Sequence, residues 1–191
     1  MAYDKELIAQ HLGRWADFAE EYTLPAWEAI PDFGLYMDQV VVLLGQYLSY
    51  IPPTEDRKDS FVTAAAINNY VRLKLMPPPV KKKYGRLHLC YLLMILTLKP
   101  ALSISEIRQL LPADPTETAV QALYSQFCQR FDRTRSRFTL QLRHAAEELA
   151  VQPVGDANQM VLEQALDAAC STLLAGKIIA LGGTAGSDPE S

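Results

Sequence analysis

Residues 66–79 of the chain read AINNYVRLKLMPPP, and the interpretation of the whole sequence starts from this stretch. Apolar residues recur in it at intervals of four, which is the spacing of one buried ridge on a helix. They are Ile67, Val71 and Leu75. Three successive prolines end the helix, because proline lacks the backbone donor and clashes with the preceding turn. The stretch therefore predicts a short helix with one packed face, followed by an extended segment.

Another face of this predicted helix carries side chains that form hydrogen bonds. Asn68 and Arg72 are four residues apart on that face. Asparagine bonds adenine through two hydrogen bonds, arginine does the same with guanine or contacts phosphate, and a tyrosine hydroxyl can donate to phosphate. This pattern is typical of a recognition helix in the DNA major groove. We expect Asn68, Asn69 and Arg72 to approach base edges, and Tyr70 and Lys74 to hold phosphates.

A basic arm follows the three prolines. It contains three consecutive lysines, and lysine at that density is suited to phosphate rather than to base reading. The residues expected to contact phosphate here are Lys81, Lys82, Lys83, Tyr84 and Arg86. Two simpler readings stay open from the sequence alone. The lysines could form a solvated turn, and the asparagines could be ordinary exposed or backbone-bonded helix residues.

The charge of the chain is unevenly distributed. Its formal net charge is −4 and its isoelectric point is about 5.4. Residues 57–88 nevertheless hold eight lysines and arginines and one acid, whereas the remainder holds ten basic and 21 acidic residues. A concentrated basic segment on an acidic body favours a nucleic-acid contact at that segment.

The rest of the sequence reads as helices separated by proline, glycine and polar residues. We predict an all-α protein, with at most a short extended pair near residues 77–84. The predicted helices are residues 4–22, 38–50, 63–74, 87–99, 103–111, 115–151 with a break near 132–135, and 157–181. Thr63 is expected to cap its helix, and Ser103 with Glu106 forms a capping box.

This reading divides the chain into four parts. Residues 1–58 hold the N-terminal helices and a connector, including the first helix of a helix-turn-helix. Residues 59–112 form the DNA-binding core, and residues 113–182 form a C-terminal region for dimerisation and effector binding. The small residues of 183–191 predict a disordered tail.

The residues quoted above carry a resemblance to a known class of regulators. Residues 67–78 resemble the recognition helix and the start of the wing of MerR-type regulators, which read roughly I-R-x-Y-E-x-x-G-L-L-x-P. Ile67, Tyr70, Leu75 and Pro78 match that pattern directly. The resemblance implies a winged helix-turn-helix with a reduced wing, flanked by N-terminal and C-terminal helices. Asn68 stands where these regulators carry arginine, and Lys74 replaces the glycine that ends the helix.

A closer resemblance covers about residues 24–111. The phrases LPAW, LYMDQV, INNYV and KKKY are similar to a bacterial domain family of unknown function that is grouped with MerR-like helix-turn-helix proteins. That family includes proteins described as transcriptional regulators. The resemblance implies a dimer that binds double-stranded DNA, pairs through its C-terminal helices and responds to a small-molecule effector.

We therefore predict a sequence-specific transcription regulator rather than an enzyme. The alternative is a helical protein-interaction or ligand-sensing module on the same scaffold that does not bind DNA. No cofactor or metal site is expected, because the cysteines lack metal-ligand spacing and are read as reduced core residues. They are Cys90, Cys128 and Cys170. With neither a signal peptide nor a membrane span recognised, a cytoplasmic location is expected.

Overall fold

The computed structural model describes residues 4–51, 62–112, 116–151 and 157–182. Within these residues it is all-helical and contains no strand, which confirms the prediction of an all-α protein. The described residues form seven α-helices and one 3-10 turn, Trp27–Ala29. The helices are α1 Lys5–Glu21, α2 Met37–Tyr47, α3 Ala64–Arg72, α4 Arg86–Leu98, α5 Ile104–Leu110, α6 Glu117–Val151 and α7 Ala157–Gly182.

Helix α4 is the centre of the main core. Its residues 88–96 are all buried, and α2 and α6 pack against it. Burying a large apolar side chain is worth about 1.5–3 kcal/mol, so this one helix supplies a large share of the fold's hydrophobic stabilisation. The helix predicted at residues 87–99 is confirmed.

A second, smaller core joins α1 to α6. The small side chains of Ala16 and Ala19 face Leu142, which lets the two helices approach closely. Arg135 on α6 donates from Nη1 to the carbonyl oxygens of Ala19 (2.8 Å) and Glu20 (2.6 Å). These carbonyls lie at the end of α1, where a helix leaves its last acceptors unpaired. Arg135, a residue of a neighbouring helix, therefore caps the C-terminal end of α1.

The sequence analysis predicted where helices start better than where they end or whether a long helix is continuous. Thr63 Oγ1 accepts the backbone N–H of Ala66 at 3.1 Å, and Ser103 and Glu106 form the predicted capping box.

The predicted break near residues 132–135 is wrong, because α6 is continuous there. An Asp132–Arg135 ion pair at 3.7 Å and the side-chain anchoring of Arg135 on α1 support the helix at this point. The predicted loop at 54–60 and the tail at 183–191 lie outside the described residues.

Helix α7 contacts the rest of the protein at few positions, and its residues 161–174 are all exposed. Ala175 and Ile179 pack on the main core, while seven large apolar side chains of the helix are 57–73% exposed. By length and composition alone α7 could cross a membrane, since an 18-residue window has a mean hydropathy of 1.4. The expectation that no segment qualifies as a span is therefore corrected. Cys170 on α7 is exposed, so its assignment to the core is also wrong.

Candidate nucleic-acid interface

Helix α3 separates the residues of the quoted stretch into a packed face and an open face. Ile67 is fully buried and Tyr70 is 6% exposed, so both belong to the core. Asn68 and Arg72 are exposed and share the outer face. Arg72 donates from Nη2 to Asn69 Oδ1 at 2.7 Å, which holds the guanidinium along the helix surface. The polar face predicted from the sequence exists, but Tyr70 is not on it.

Lys74 ends helix α3 in a conformation that usually belongs to glycine. Its φ is 53°, in the left-handed region. Leu75 N–H bonds the Tyr70 carbonyl at 3.0 Å, and Lys74 N–H bonds the Val71 carbonyl at 3.0 Å. This is the Schellman arrangement, which normally has glycine at the left-handed position. A lysine there strains the backbone by about 1–2 kcal/mol.

The three-lysine segment forms a minimal hairpin. Val80 N–H bonds the Lys83 carbonyl at 3.0 Å, and Lys83 N–H bonds the Val80 carbonyl at 2.9 Å. The two residues between them, Lys81 and Lys82, have φ of 49° and 64°. Positive φ at both central positions defines a type I′ turn, which strongly prefers Asn-Gly. Lysine occupies both positions instead, and both side chains are exposed.

The base of the hairpin is fixed to the body by backbone pairing and a close packing contact. Leu35 and Tyr84 exchange both of their backbone hydrogen bonds at 2.9 Å. A Cβ at Gly34 would meet Lys83 Cβ at 2.8 Å, so the lysine stem passes directly over the glycine. Lys83 Nζ lies 5.1 Å from the centre of the Tyr36 ring, within range of a cation–π interaction.

His88 connects the two ends of the segment that contains the hairpin. Its Nδ1 accepts the backbone N–H of Gly85 at 3.1 Å, so the proton lies on Nε2, which faces the Pro78 carbonyl at 3.1 Å. The ring is 8% exposed and stands edge-on to the Tyr84 ring. This arrangement clamps residues 78–85 to the start of α4. The sequence analysis did not assign this role to any residue.

The structure therefore separates the ten predicted contact residues. Six are exposed at α3 or the hairpin: Asn68, Arg72, Lys74, Lys81, Lys82 and Lys83. Tyr84 is 3% exposed like the buried Tyr70, and burial raises the pKa of both hydroxyls. Asn69 is half-buried and engaged by Arg72. Arg86 donates from Nε to the Ile30 carbonyl at 2.8 Å and lies over Trp27, so it serves the fold.

The sequence analysis also missed one cation that belongs to this surface. Arg108 on α5 donates from Nη2 to the Leu73 carbonyl at 2.5 Å, at the C-terminal end of α3. Its positive charge stabilises the C-terminal end of α3, where the carbonyl dipoles of a helix produce negative potential. A groove of about 460 Å³ begins nearby and is bordered by Arg72, Lys74 and Pro78. The contact joins residues 35 positions apart, so the local sequence carries no signal of it.

The part of the sequence that carries the surface is basic, although Asp32 lies 3.9 Å from Arg86 at the base of the hairpin. Residues 62–105 contain seven lysines and arginines and no aspartate or glutamate. Among the described residues no group of three or more histidine, cysteine or acidic side chains could hold a metal ion. The arrangement can attract and position an anionic backbone, with an asparagine and an arginine beside it for more specific contacts.

The fold and surface together define a small all-helical domain with a lysine-bearing hairpin beside a polar helix. The chain belongs to the family described as Domain of unknown function (DUF1836), whose model matches residues 25–127. The matched region contains α2 to α5 and all ten candidate contact residues, and it leaves out α1 and α7. Comparison with curated proteins and with solved structures gave no match.

Proposed function

We propose that the chain is a sequence-specific DNA-binding transcription regulator of the MerR-like winged helix-turn-helix kind. Helices α2 and α3 would form the helix-turn-helix, and the hairpin at residues 80–83 would be a reduced wing. In this arrangement Asn68 and Arg72 approach base edges in the major groove. The lysines of the hairpin contact phosphates on one side of the groove.

One observation carries the proposal: every non-glycine residue with positive φ in the described part of the chain is an exposed lysine of this surface. They are Lys74, Lys81 and Lys82. Residues held in such conformations cost about 1–3 kcal/mol each and tend to occur at functional sites. Glycine or asparagine would relieve the strain at all three positions. Lysine therefore contributes something other than stability, and a charge directed at an anionic partner explains all three together.

Arg72 and Lys83 strengthen the proposal because the protein holds both side chains in place. Arg72 is bonded to Asn69, and Lys83 is held between Gly34 and the Tyr36 ring. A positioned side chain loses less conformational entropy on binding than a mobile one. Side chains held in place in this way are expected at a contact surface, and they have no evident benefit in a solvated turn.

We further propose that a second copy of the chain covers the open side of α7. The exposed residues that share this side are Leu162, Leu166, Leu173, Leu174 and Leu181, which lie within about 120° around the helix. At roughly 60–100 Å² of apolar area apiece, they offer on the order of 300–500 Å², about half of the ~800 Å² per partner of a standard interface. Asp167 and Lys177 disfavour a bilayer, because each is expensive within hydrocarbon.

The test measures binding of the protein to random-sequence duplex DNA by fluorescence anisotropy, at several salt concentrations. We expect affinity to fall steeply with salt and Lys82→Glu to weaken it at least tenfold. Lys99→Glu is the matched control. It makes the same charge change on an exposed lysine at the far end of α4, about 20 Å from Arg86 along the helix. Selection of bound sequences should then yield an operator.

The alternative function is a helical interaction or ligand-sensing module that does not bind DNA. The acidic remainder of the chain and the open apolar side of α7 favour it. No binding at low salt, or equal losses from Lys82→Glu and Lys99→Glu, would reject the DNA-binding proposal in favour of this module.

A further inference from the structure

A cavity of about 360 Å³ lies between α1 and α6, and none of the residues that line it belongs to the basic surface. Its volume is at the lower end of the range for small-molecule sites. Aromatic rings form most of its wall: Trp15, Tyr22, Tyr50, Phe131 and Phe138. The ends of α2 and α4 complete the wall, so the cavity lies where the flanking helices meet the family domain.

The rings are held in place by contacts with one another. Tyr22 and Tyr50 have ring centres 4.7 Å apart, and Tyr50 meets Phe131 edge-on at 5.2 Å. Trp15 and Phe138 form a second edge-on pair at 5.2 Å. Edge-on pairs leave ring faces available to a third aromatic group. The wall therefore has the shape and chemistry to accept a flat apolar ring.

Arg135 places a positive charge in this apolar wall. Its Nη1 is occupied by the carbonyls at the end of α1. Its Nε is buried, and the Oδ1 of Asp132 lies 3.7 Å from it. A ligand oxygen in the cavity cannot reach that Nε, so Arg135 acts on the cavity through the charge of its guanidinium.

We propose that the cavity binds a small planar aromatic compound that carries an acceptor oxygen, such as a carboxylate. The ring would lie among the aromatic side chains, and the oxygen would lie on the side of the guanidinium of Arg135. The guanidinium disfavours a cationic ligand, which an aromatic cage alone would favour. This assignment concerns ligand binding alone and does not depend on the DNA proposal.

The position of the cavity also suggests how occupancy acts on the proposed DNA surface, and this step rests on the proposed function. Tyr22 donates from its hydroxyl to the carbonyl of Tyr47, the last residue of α2. Tyr50 and Ile51 follow directly and line the cavity, on the connection that leads to α3. A bound ring would hold this end of α2 and change the orientation available to α3.

The test uses isothermal titration of the full chain with 2-naphthoate, without DNA. We expect one molecule bound per chain with a submillimolar Kd, and at least tenfold weaker binding of cyclohexanecarboxylate, which lacks the planar ring. Arg135→Met removes the positive charge but keeps a long unbranched side chain, and it should lower naphthoate affinity about tenfold through the lost charge attraction. Absence of binding up to millimolar naphthoate would overturn the proposal.

Two variants locate the binding. Thr134→Phe adds a ring at an exposed position on the cavity wall and should abolish naphthoate binding. Ser125→Phe is the matched control, since Ser125 is exposed nine residues earlier on the opposite face of α6. If circular dichroism shows Thr134→Phe to be misfolded, Phe138→Leu replaces it and should weaken binding several-fold. Equal affinity in the cavity variant and the control would overturn the assignment. Because no DNA is present, failure here is separate from failure of the proposed function.

Discussion

Lys83 passes so close over Gly34 that no other residue fits at position 34 without moving the hairpin. A Cβ there would lie 2.8 Å from Lys83 Cβ and 3.0 Å from Lys83 Cδ. The nearest clash is with the root of the lysine side chain, which cannot swing away without backbone movement. Gly34 therefore allows the hairpin to rest on the segment that precedes α2.

Gly34→Ala should displace the hairpin and disturb the Leu35–Tyr84 pairing beside it. We expect a loss of about 1–3 kcal/mol in unfolding free energy, typical of overpacking, together with weaker DNA binding. Chemical denaturation measures the first and anisotropy the second. Gly45→Ala is the control, because nothing lies within 4 Å of its added Cβ and alanine favours the helix interior. If both variants were equally stable, the close contact at Gly34 would be unimportant.

Replacing Lys81 and Lys82 by Asn and Gly should move stability and DNA affinity in opposite directions. Asn-Gly is the preferred type I′ pair, so Lys81→Asn with Lys82→Gly should raise unfolding free energy by about 1–2 kcal/mol. Loss of two phosphate contacts should reduce the slope of log K against log salt by about 2. Changing both lysines to alanine removes the same charges and keeps the strain, so only affinity should fall. Unchanged affinity in the Asn-Gly variant would remove the hairpin from the interface.

Lys74→Gly should likewise stabilise the protein, by about 0.5–1 kcal/mol, because glycine adopts the left-handed conformation without strain. Its DNA affinity should fall, with a salt slope lower by about 1. Lys99→Gly provides the comparison, since Lys99 has right-handed φ and ψ of −57° and −31°. Glycine there relieves nothing and should not stabilise. A stabilised Lys74→Gly that binds DNA normally would mean that this lysine contacts no phosphate.

Stability should decline as the pH rises above about 9. Burial raises the pKa of the Cys90 thiol and of the Tyr124 hydroxyl, which donates to the Pro25 carbonyl at 2.8 Å. Groups with raised folded pKa values stabilise fully below their unfolded values of 9.0 and 10.0, and this contribution is lost as pH rises beyond them.

Denaturant midpoints between pH 7 and 11 measure this decline. Tyr124→Phe should flatten it, and folded protein at pH 10.5 should show less tyrosinate absorbance than unfolded protein. Exposed Tyr36 gives the control, because Tyr36→Phe should leave the pH profile unchanged. Full ionisation of Tyr124 near pH 10 without unfolding would contradict its buried position.

The sequence predicted the features that depend on local chemistry. Caps at Thr63 and Ser103 are decided within three residues, and the apolar run of α4 leaves no solvent face, so both were recognisable. The outer face of α3, with Asn68 and Arg72, followed from helical spacing alone. The family resemblance was also confirmed at the level of the domain of unknown function.

Features set by distant contacts or by unusual backbone conformations could not be predicted. The sequence alone does not decide whether Tyr70 lies on the packed face or on the polar face of α3. Its burial is decided by packing in the main core, which α4 and its neighbours form. Lysine at three positive-φ positions contradicts turn propensities, so a reduced wing was inferred but its type I′ turn was not. Arg108 and Arg135 act on carbonyls 35 and 115 or more residues away, which leaves no local pattern.

Helix α7 should hold two copies of the chain together through the face that carries Leu166 and Leu173. These residues are seven apart, share one side of the helix and are 57% and 73% exposed. Leu166→Lys with Leu173→Lys should convert a dimer into a monomer in light scattering or sedimentation, without loss of helicity. Gln164→Lys with Ser171→Lys is the matched control: it adds the same charges at the same spacing, about 160° around the helix, on exposed residues.

The same measurement decides between a second copy and a membrane as the occupant of this face. A monomeric wild-type chain that sediments with phosphatidylcholine vesicles would show that α7 partitions into lipid, as its length and hydropathy allow. A dimer interface at this face would be established by two results together. The wild-type dimer does not bind vesicles, and the Leu166→Lys, Leu173→Lys variant is monomeric whereas the control variant is still a dimer. The outcome matters for the proposed DNA contact because one short α3 helix reads few bases, and paired half-sites supply the remaining specificity.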